Sequence, residues 1–231
     1  MLTGSRVALG AASIITALDG RIYLAAVLIT LGAVTDVLDG LAARRLGVAS
    51  AFGAMFDTFT DYLCFVVAPW VLTRVLVAAD GGVIHEALIG TPLMMGAIRY
   101  ARISFLVANQ SQEVRELPGL ATVFFAFLPV VAVFLDARVL LSPPQLSAAL
   151  TFFVVIFSLL MIAPVRYPKL GRFRGITAAA TVLLIVMPFL GTRVLAGIML
   201  VAGLLYVAFA HTLTSERPRV AAGRRSQGGS E

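Results

Sequence analysis

The chain has 231 residues, of which 60% are hydrophobic and 13% are charged, and its mean hydropathy is +0.97. A soluble globular domain is about 45–50% apolar and about 25% charged, so this composition excludes an ordinary soluble domain and indicates a chain embedded in lipid. The net charge is +6, but the basic residues stand at the ends of apolar blocks, so membrane topology explains this charge better than nucleic-acid binding does.

The apolar blocks predict a polytopic, all-α membrane bundle, because each transmembrane helix needs about 20 mainly apolar residues. We expect eight transmembrane helices, at residues 6–18, 21–46, 49–79, 83–108, 118–135, 145–165, 176–190 and 193–211. A polar segment rich in glycine and arginine follows them. We therefore expect a membrane domain over residues 1–213 and a disordered basic tail over residues 214–231.

The basic residues are distributed unevenly between the two ends of these helices. With eight spans, 14 of the 18 lysine and arginine residues lie on the side of the two termini, and 4 lie on the other side. Positive residues accumulate on the cytoplasmic side of a membrane. The distribution predicts that both termini are cytoplasmic, in a cytoplasmic membrane of the bacterial type.

Four aspartates lie within 26 residues of the second and third predicted helices, at Asp36, Asp39, Asp57 and Asp61. An ionised carboxylate in a membrane helix is costly unless it is paired, solvated or bound to a metal. Helical periodicity places Asp36 and Asp39 on one face, and Asp57 and Asp61 on one stripe of the next helix. Because a short turn joins the two helices, we expect all four carboxylates to converge on a polar cavity that faces the cytoplasm.

Divalent cations would relieve the repulsion between these carboxylates. Oxygen ligands favour Mg²⁺, Mn²⁺ or Ca²⁺ over zinc, and two such ions commonly assist displacement at phosphorus. Gly40 and Gly53 leave room for a ligand near the backbone, and Arg44 adds a cation suited to phosphate. The residues therefore indicate metal-dependent phosphate transfer. A divalent-cation or proton-coupled transporter is the alternative of a different class.

These residues form the pattern Asp36-x2-Asp39-Gly40-x2-Ala43-Arg44-x8-Gly53-x3-Asp57-x3-Asp61. The pattern resembles the complete signature of the CDP-alcohol phosphatidyltransferases. The resemblance implies that the four aspartates hold two ions, Mg²⁺ or Mn²⁺, and that Asp61 is also the general base. It further implies a homodimer, and a CDP site formed by Asp36, Asp39, Gly40, Ala43, Arg44, Gly53 and Asp57.

Other segments resemble the phosphatidylserine synthase branch of that family, namely Val67-Ala68-Pro69, Gly96-Ala97-Ile98-Arg99-Tyr100-Ala101-Arg102 and Val165-Arg166-Tyr167-Pro168-Lys169. This resemblance implies that phosphatidyl passes from CDP-diacylglycerol to the hydroxyl of L-serine, with release of CMP, in phospholipid biosynthesis. Arg99 and Arg102, one helical turn apart, would bind the acceptor or a lipid phosphate. The Asp61-Tyr62-Leu63 stretch is similar to phosphatidylcholine synthases, so choline is the alternative acceptor.

Overall fold

The computed structural model describes residues 2–46, 51–77, 82–108 and 119–163, together with residues 193, 196–198, 200–201 and 203–204. Across these residues the secondary structure is helical and contains no strand. The helices are α1 (Leu2–Leu18), α2 (Ile22–Leu46), α3 (Ala51–Tyr62), α4 (Ala68–Leu76), α5 (Gly82–Ala108), α6 (Thr122–Phe134), α7 (Ala137–Leu140) and α8 (Pro143–Ile162).

The all-helical prediction is confirmed for the described part of the chain. A π-helical turn at Leu63–Val67 joins α3 to α4, so the third predicted block is one continuous helical run with an unpredicted π-helical turn inside it. Helix α7 is a single turn. The predicted hairpin of residues 176–190 and 193–211 lies almost entirely outside the described residues, as does the whole tail. The number of transmembrane helices and the cytoplasm-facing cavity therefore stay predictions.

Three of the described helical segments are long and apolar enough to cross a membrane, at Ile22–Gly40, Phe52–Leu76 and Pro143–Ile162. Gly4–Leu18 and Thr122–Phe134 are also apolar but shorter. These segments coincide with apolar blocks predicted from the sequence. The chain is therefore a membrane protein.

Helices α1 and α2 form a tight hairpin. The turn passes through Gly20, whose φ of +76° is readily adopted by glycine. Ala17 and Ala25 are fully buried in the hairpin, and the Ser13 hydroxyl donates to the Ala25 carbonyl over 3.0 Å. Small side chains allow the helix backbones to approach closely, and a bond of this kind holds them together in lipid.

The π-helical turn lies at the centre of the helix packing. A Cβ on Gly10 of α1 would lie 2.9 Å from the Cys64 sulfur, and a Cβ on Gly96 of α5 would lie 2.9 Å from Val66. Helices α1 and α5 thus pack closely against this turn at their glycines. Pro69, which follows, has no N–H to donate to residue 65, and the helix changes its hydrogen-bonding pattern just before it. This packing fixes α1 and α5 beside the carboxylates of α3.

Candidate active site

Three of the four predicted carboxylates converge in the structure. Asp36 comes from α2, whereas Asp57 and Asp61 lie one turn apart on α3. One carboxylate oxygen from each residue lies within 4.8 Å of the others. Their side chains are 35%, 48% and 25% exposed, respectively. The cluster is thus sheltered by protein but still open to a ligand.

Asp39 lies on α2, one turn beyond Asp36, and is not part of this close trio. Its Oδ2 atom is nevertheless buried and has no hydrogen-bond partner within the described parts of the chain. A buried carboxylate oxygen without a partner is unfavourable. A cation next to this oxygen would satisfy it, so Asp39 is placed to extend the site along α2.

Arg6 is a site residue that the sequence analysis did not assign. Its side chain is fully buried on α1, and its Nη1 atom donates to Oδ1 of Asp36. Its Nη2 atom donates to Oδ1 of Asp57 over 2.8 Å and to Oδ1 of Asp61 over 2.7 Å. One guanidinium therefore links the three helices that build the cluster.

The position of Arg6 is fixed by contacts between the α1 backbone and Cys64. The thiol of Cys64, in the π-helical turn, donates to the Arg6 carbonyl over 3.1 Å. Gly10, one turn further along α1, contacts the same sulfur. The sequence signal for Arg6 was available, because it is the only charged residue before Asp19. A lone cation in an apolar membrane helix is costly unless an acidic side chain pairs with it, just as a lone carboxylate is costly unless a cation pairs with it.

The predicted nucleotide-binding residues are only partly described. Gly40 lies on α2 and is half-buried, and Gly53 lies on α3 and is exposed. Ala43 and Arg44 belong to the last turns of α2, but their side chains lie outside the described residues. The structure places these four positions on the two helices that carry the carboxylates. Their contacts with CDP remain a prediction.

The two arginines predicted to bind the acceptor differ in their surroundings. Arg102 is exposed, whereas Arg99 is half-buried and its Nη1 atom donates to the Met161 carbonyl at the end of α8 over 3.2 Å. Gly119 lies beside this contact with a φ of +94°, and a Cβ there would be 2.1 Å from the same carbonyl oxygen. Arg99 is thus held against α8.

Two tyrosines connect α5 to the carboxylate helix. Tyr62, next to Asp61, donates to the Leu93 carbonyl over 2.9 Å. Its ring meets that of Tyr100 edge-on, with 5.9 Å between the centroids, and the Tyr100 hydroxyl lies 2.6 Å from that of Thr122. Since Tyr100 directly follows Arg99, this contact brings the α5 backbone at Arg99 close to the part of α3 that carries Asp61.

The donor set fits hard divalent cations. It consists of carboxylate oxygens on two adjacent helices, one of them a buried oxygen that has no hydrogen-bond partner in the part of the chain that the structure describes. Mg²⁺ and Mn²⁺ favour such ligands. Ions held here could neutralise negative charge that develops on a phosphate group. The arrangement therefore suits chemistry on a phosphorylated substrate at a membrane helix bundle.

Comparisons with known proteins agree with this chemistry. The family model described as CDP-alcohol phosphatidyltransferase matches residues 1–213. A protein of Helicobacter pylori named CDP-diacylglycerol–serine O-phosphatidyltransferase is 29% identical over 174 residues, which cover 75% of this chain and 73% of the relative.

Two archaeal proteins are similar to the same extent. The archaetidylserine synthase of Methanothermobacter thermautotrophicus is 30% identical over 172 residues, 73% of this chain and 68% of the relative. The CDP-diacylglycerol–serine O-phosphatidyltransferase of Methanocaldococcus jannaschii is 28% identical over 157 residues, 68% of this chain and 70% of the relative. These matches extend well beyond the aspartate motif.

Proposed function

The chain belongs to the CDP-alcohol phosphatidyltransferase family, and we propose that it transfers phosphatidyl from CDP-diacylglycerol to the hydroxyl group of L-serine. The products are phosphatidylserine and CMP. The observation that carries the chemistry is the convergence of Asp36, Asp57 and Asp61 from two helices. The choice of serine is supported by the names of the bacterial and archaeal relatives.

The four aspartates of the motif would hold two divalent cations, Mg²⁺ or Mn²⁺, which when bound supply positive charge to the phosphates of the CDP-lipid. The buried Oδ2 of Asp39, which has no partner among the residues that the structure describes, supports including this residue among the ligands. Gly40, Ala43 and Gly53 would line the nucleotide, because they follow the family pattern and present no bulky side chain. Arg44 would bind the diphosphate, for which its planar guanidinium is suited.

Asp61 is the general base in this proposal. Arg6 donates to its Oδ1 atom, so we assign Oδ2 to the serine hydroxyl. As the proton passes to Asp61, the serine oxygen bonds to the lipid-side phosphorus and the bond from that phosphorus to the CMP oxygen breaks. A carboxylate serves as base here because the bound reactants are already oriented.

Arg99 and Arg102 would hold the carboxylate of serine or a lipid phosphate. The position of Arg99 beside Tyr100 and the α3 helix supports this role, although in the structure Arg99 donates to α8. The uneven charge of the loops supports a site and termini on the cytoplasmic side of a bacterial-type membrane. Family membership is the support for a homodimer.

CMP release by the detergent-purified protein tests this function. The assay contains CDP-diacylglycerol and Mg²⁺ or Mn²⁺, and serine, choline, inositol or glycerol phosphate is added in turn. We expect CMP and phosphatidylserine with serine only, complete loss with EDTA, and recovery when either metal is restored. Release with choline alone would change the acceptor but keep the mechanism. A folded protein that releases no CMP with any alcohol would contradict the proposal and favour the transporter alternative.

A further inference from the structure

We propose that Arg6 is a built-in counter-cation of the aspartate cluster, which competes with divalent cations and so couples metal binding to the arrival of the CDP-lipid. This inference rests on the proposed function, since it concerns the same metal centre. It starts from the burial of Arg6, which is 0% exposed, and from its bonds to Asp36, Asp57 and Asp61.

The first step concerns the protein without metal. Three carboxylates within 4.8 Å of one another repel strongly if all are ionised. A guanidinium keeps its charge at any accessible pH and offers its donors in a rigid fork, so one side chain can bridge all three. A buried cation, in turn, is tolerated only with such partners. Arg6 and the aspartates therefore stabilise one another before any metal binds.

The second step concerns the atoms that Arg6 occupies. It takes Oδ1 from each member of the trio, and a divalent cation bound by the same carboxylates would meet a positive charge among its ligands. Arg6 would have to move away, or its charge would have to be balanced. Its Nε atom is buried without a hydrogen-bond partner among the described residues. Among the described residues, one donor of Arg6 is thus left without a partner, which is unfavourable for a buried N–H group.

The third step is a charge balance. Two divalent cations would neutralise the four aspartates if Arg6 were absent, whereas with Arg6 the same ions leave one positive charge in excess. The diphosphate of the CDP-lipid supplies the missing negative charge. Arg6 therefore makes full metal occupancy unfavourable in the empty site and favourable in the nucleotide-bound site. By linkage, metal and nucleotide must then promote each other's binding.

Mn²⁺ binding to the full-length protein in detergent tests this coupling without any turnover. The free-ion signal in electron paramagnetic resonance gives the Kd of Mn²⁺, with and without CDP as the anionic probe. We expect Arg6→Gln to tighten Mn²⁺ binding without CDP by about 5- to 150-fold, the usual range of coupling between sites. CDP should tighten Mn²⁺ binding to the wild type much more than to the variant.

Two further variants complete the experiment. Arg74→Gln is the matched control, because Arg74 lies outside the aspartate cluster and forms an ion pair of 2.9 Å with Glu86. We expect the Mn²⁺ affinity of this variant to equal that of the wild type. Arg6→Lys retains a positive charge that favours folding but lacks the fork that bridges three carboxylates. We expect intermediate affinity, which allows the test to proceed if Arg6→Gln does not fold.

The outcomes separate this inference from the proposed function. Mn²⁺ binding that is equal or weaker in both Arg6 variants would overturn the role of Arg6 and leave the metal centre intact. Absence of Mn²⁺ binding to every folded form would overturn the metal centre and the inference together. The melting temperature provides a second readout, since without metal it should fall in Arg6→Gln, and Mn²⁺ should raise it more than in the wild type.

Discussion

The aspartate cluster and the contact between α5 and α8 are both polar regions within an apolar helix bundle, but they are built differently. At the contact between α5 and α8, the side chains that bond to one another across the interface are neutral or weakly basic. His85 Nε2 lies 3.0 Å from the Thr151 hydroxyl and 3.3 Å from that of Ser147, and Thr91 donates to Ser158 over 3.3 Å. We call these five residues the α5–α8 seam.

The cluster of α1, α2 and α3, in contrast, concentrates ionised groups. Three of the four aspartates share Arg6 as their cation, and within the described residues the fourth, Asp39, retains a buried oxygen without a hydrogen-bond partner. Neutral bonds between membrane helices are common and hold helices together, whereas charges in such helices are rare and mark function. The imbalance of charge, more than polarity itself, thus distinguishes the candidate active site from a packing contact.

The largest expected effect in this comparison is that of Asp61→Asn. The change keeps the size of the side chain but removes the base and one metal ligand. We expect CMP release with serine to fall by about 10²- to 10⁴-fold, the contribution typical of a general base. Binding of CDP-diacylglycerol should be largely retained, because the other ligands remain. Turnover and lipid binding are measured on the same detergent preparation.

Asp136→Asn is the matched control for that variant. Asp136 is exposed at the start of α7, where it pairs with Arg193 over 3.1 Å. Its φ of 52° is in the left-handed region, which asparagine also tolerates. We expect unchanged turnover. Wild-type activity in Asp61→Asn, or an equal loss in Asp136→Asn, would contradict the assignment of Asp61 as the base.

Local regularities made much of this cluster predictable. Helical spacing placed Asp57 and Asp61 on one stripe, and the short connection after α2 required that stripe to meet Asp36. Arg6 was not assigned, since it is 30 and 55 residues away from Asp36 and Asp61, and its place depends on how α1 packs. The π-helical turn was also missed: Pro69 follows it, but its packing against Gly10 and Gly96 consists of tertiary contacts. Periodicity carries no information about such contacts.

The end of α8 is an intermediate case, in which backbone geometry supports a candidate site residue. Gly119→Ala would force a Cβ to within 2.1 Å of the Met161 carbonyl oxygen at a φ of +94°. Strain of this kind costs about 1–3 kcal/mol from the backbone alone, and the close contact adds to it. We expect a clearly lower melting temperature in detergent and a higher KM for serine, because Arg99 bonds to the same carbonyl.

Gly90→Ala separates this effect from a general sensitivity to added methyl groups. Gly90 lies within α5, and a Cβ there would meet no described residue within 4 Å. Alanine favours a helix over glycine by up to about 1 kcal/mol, so the melting temperature should stay constant or rise. A similar loss of stability in both variants would refute the special role of the Gly119 conformation. An unchanged KM for serine in Gly119→Ala would indicate that Arg99 does not take part in acceptor binding.

The smallest expected effect belongs to the α5–α8 seam. Thr151→Val keeps the shape of the side chain and removes its bond to His85, which retains Ser147 as a second partner. Bonds between membrane helices contribute about 0.6 kcal/mol on average, so we expect a small drop in melting temperature and unchanged turnover. If Thr151→Val abolished CMP release in a folded protein, the seam would carry chemistry of its own. The charge imbalance around Arg6 would then no longer distinguish the active site from a packing contact.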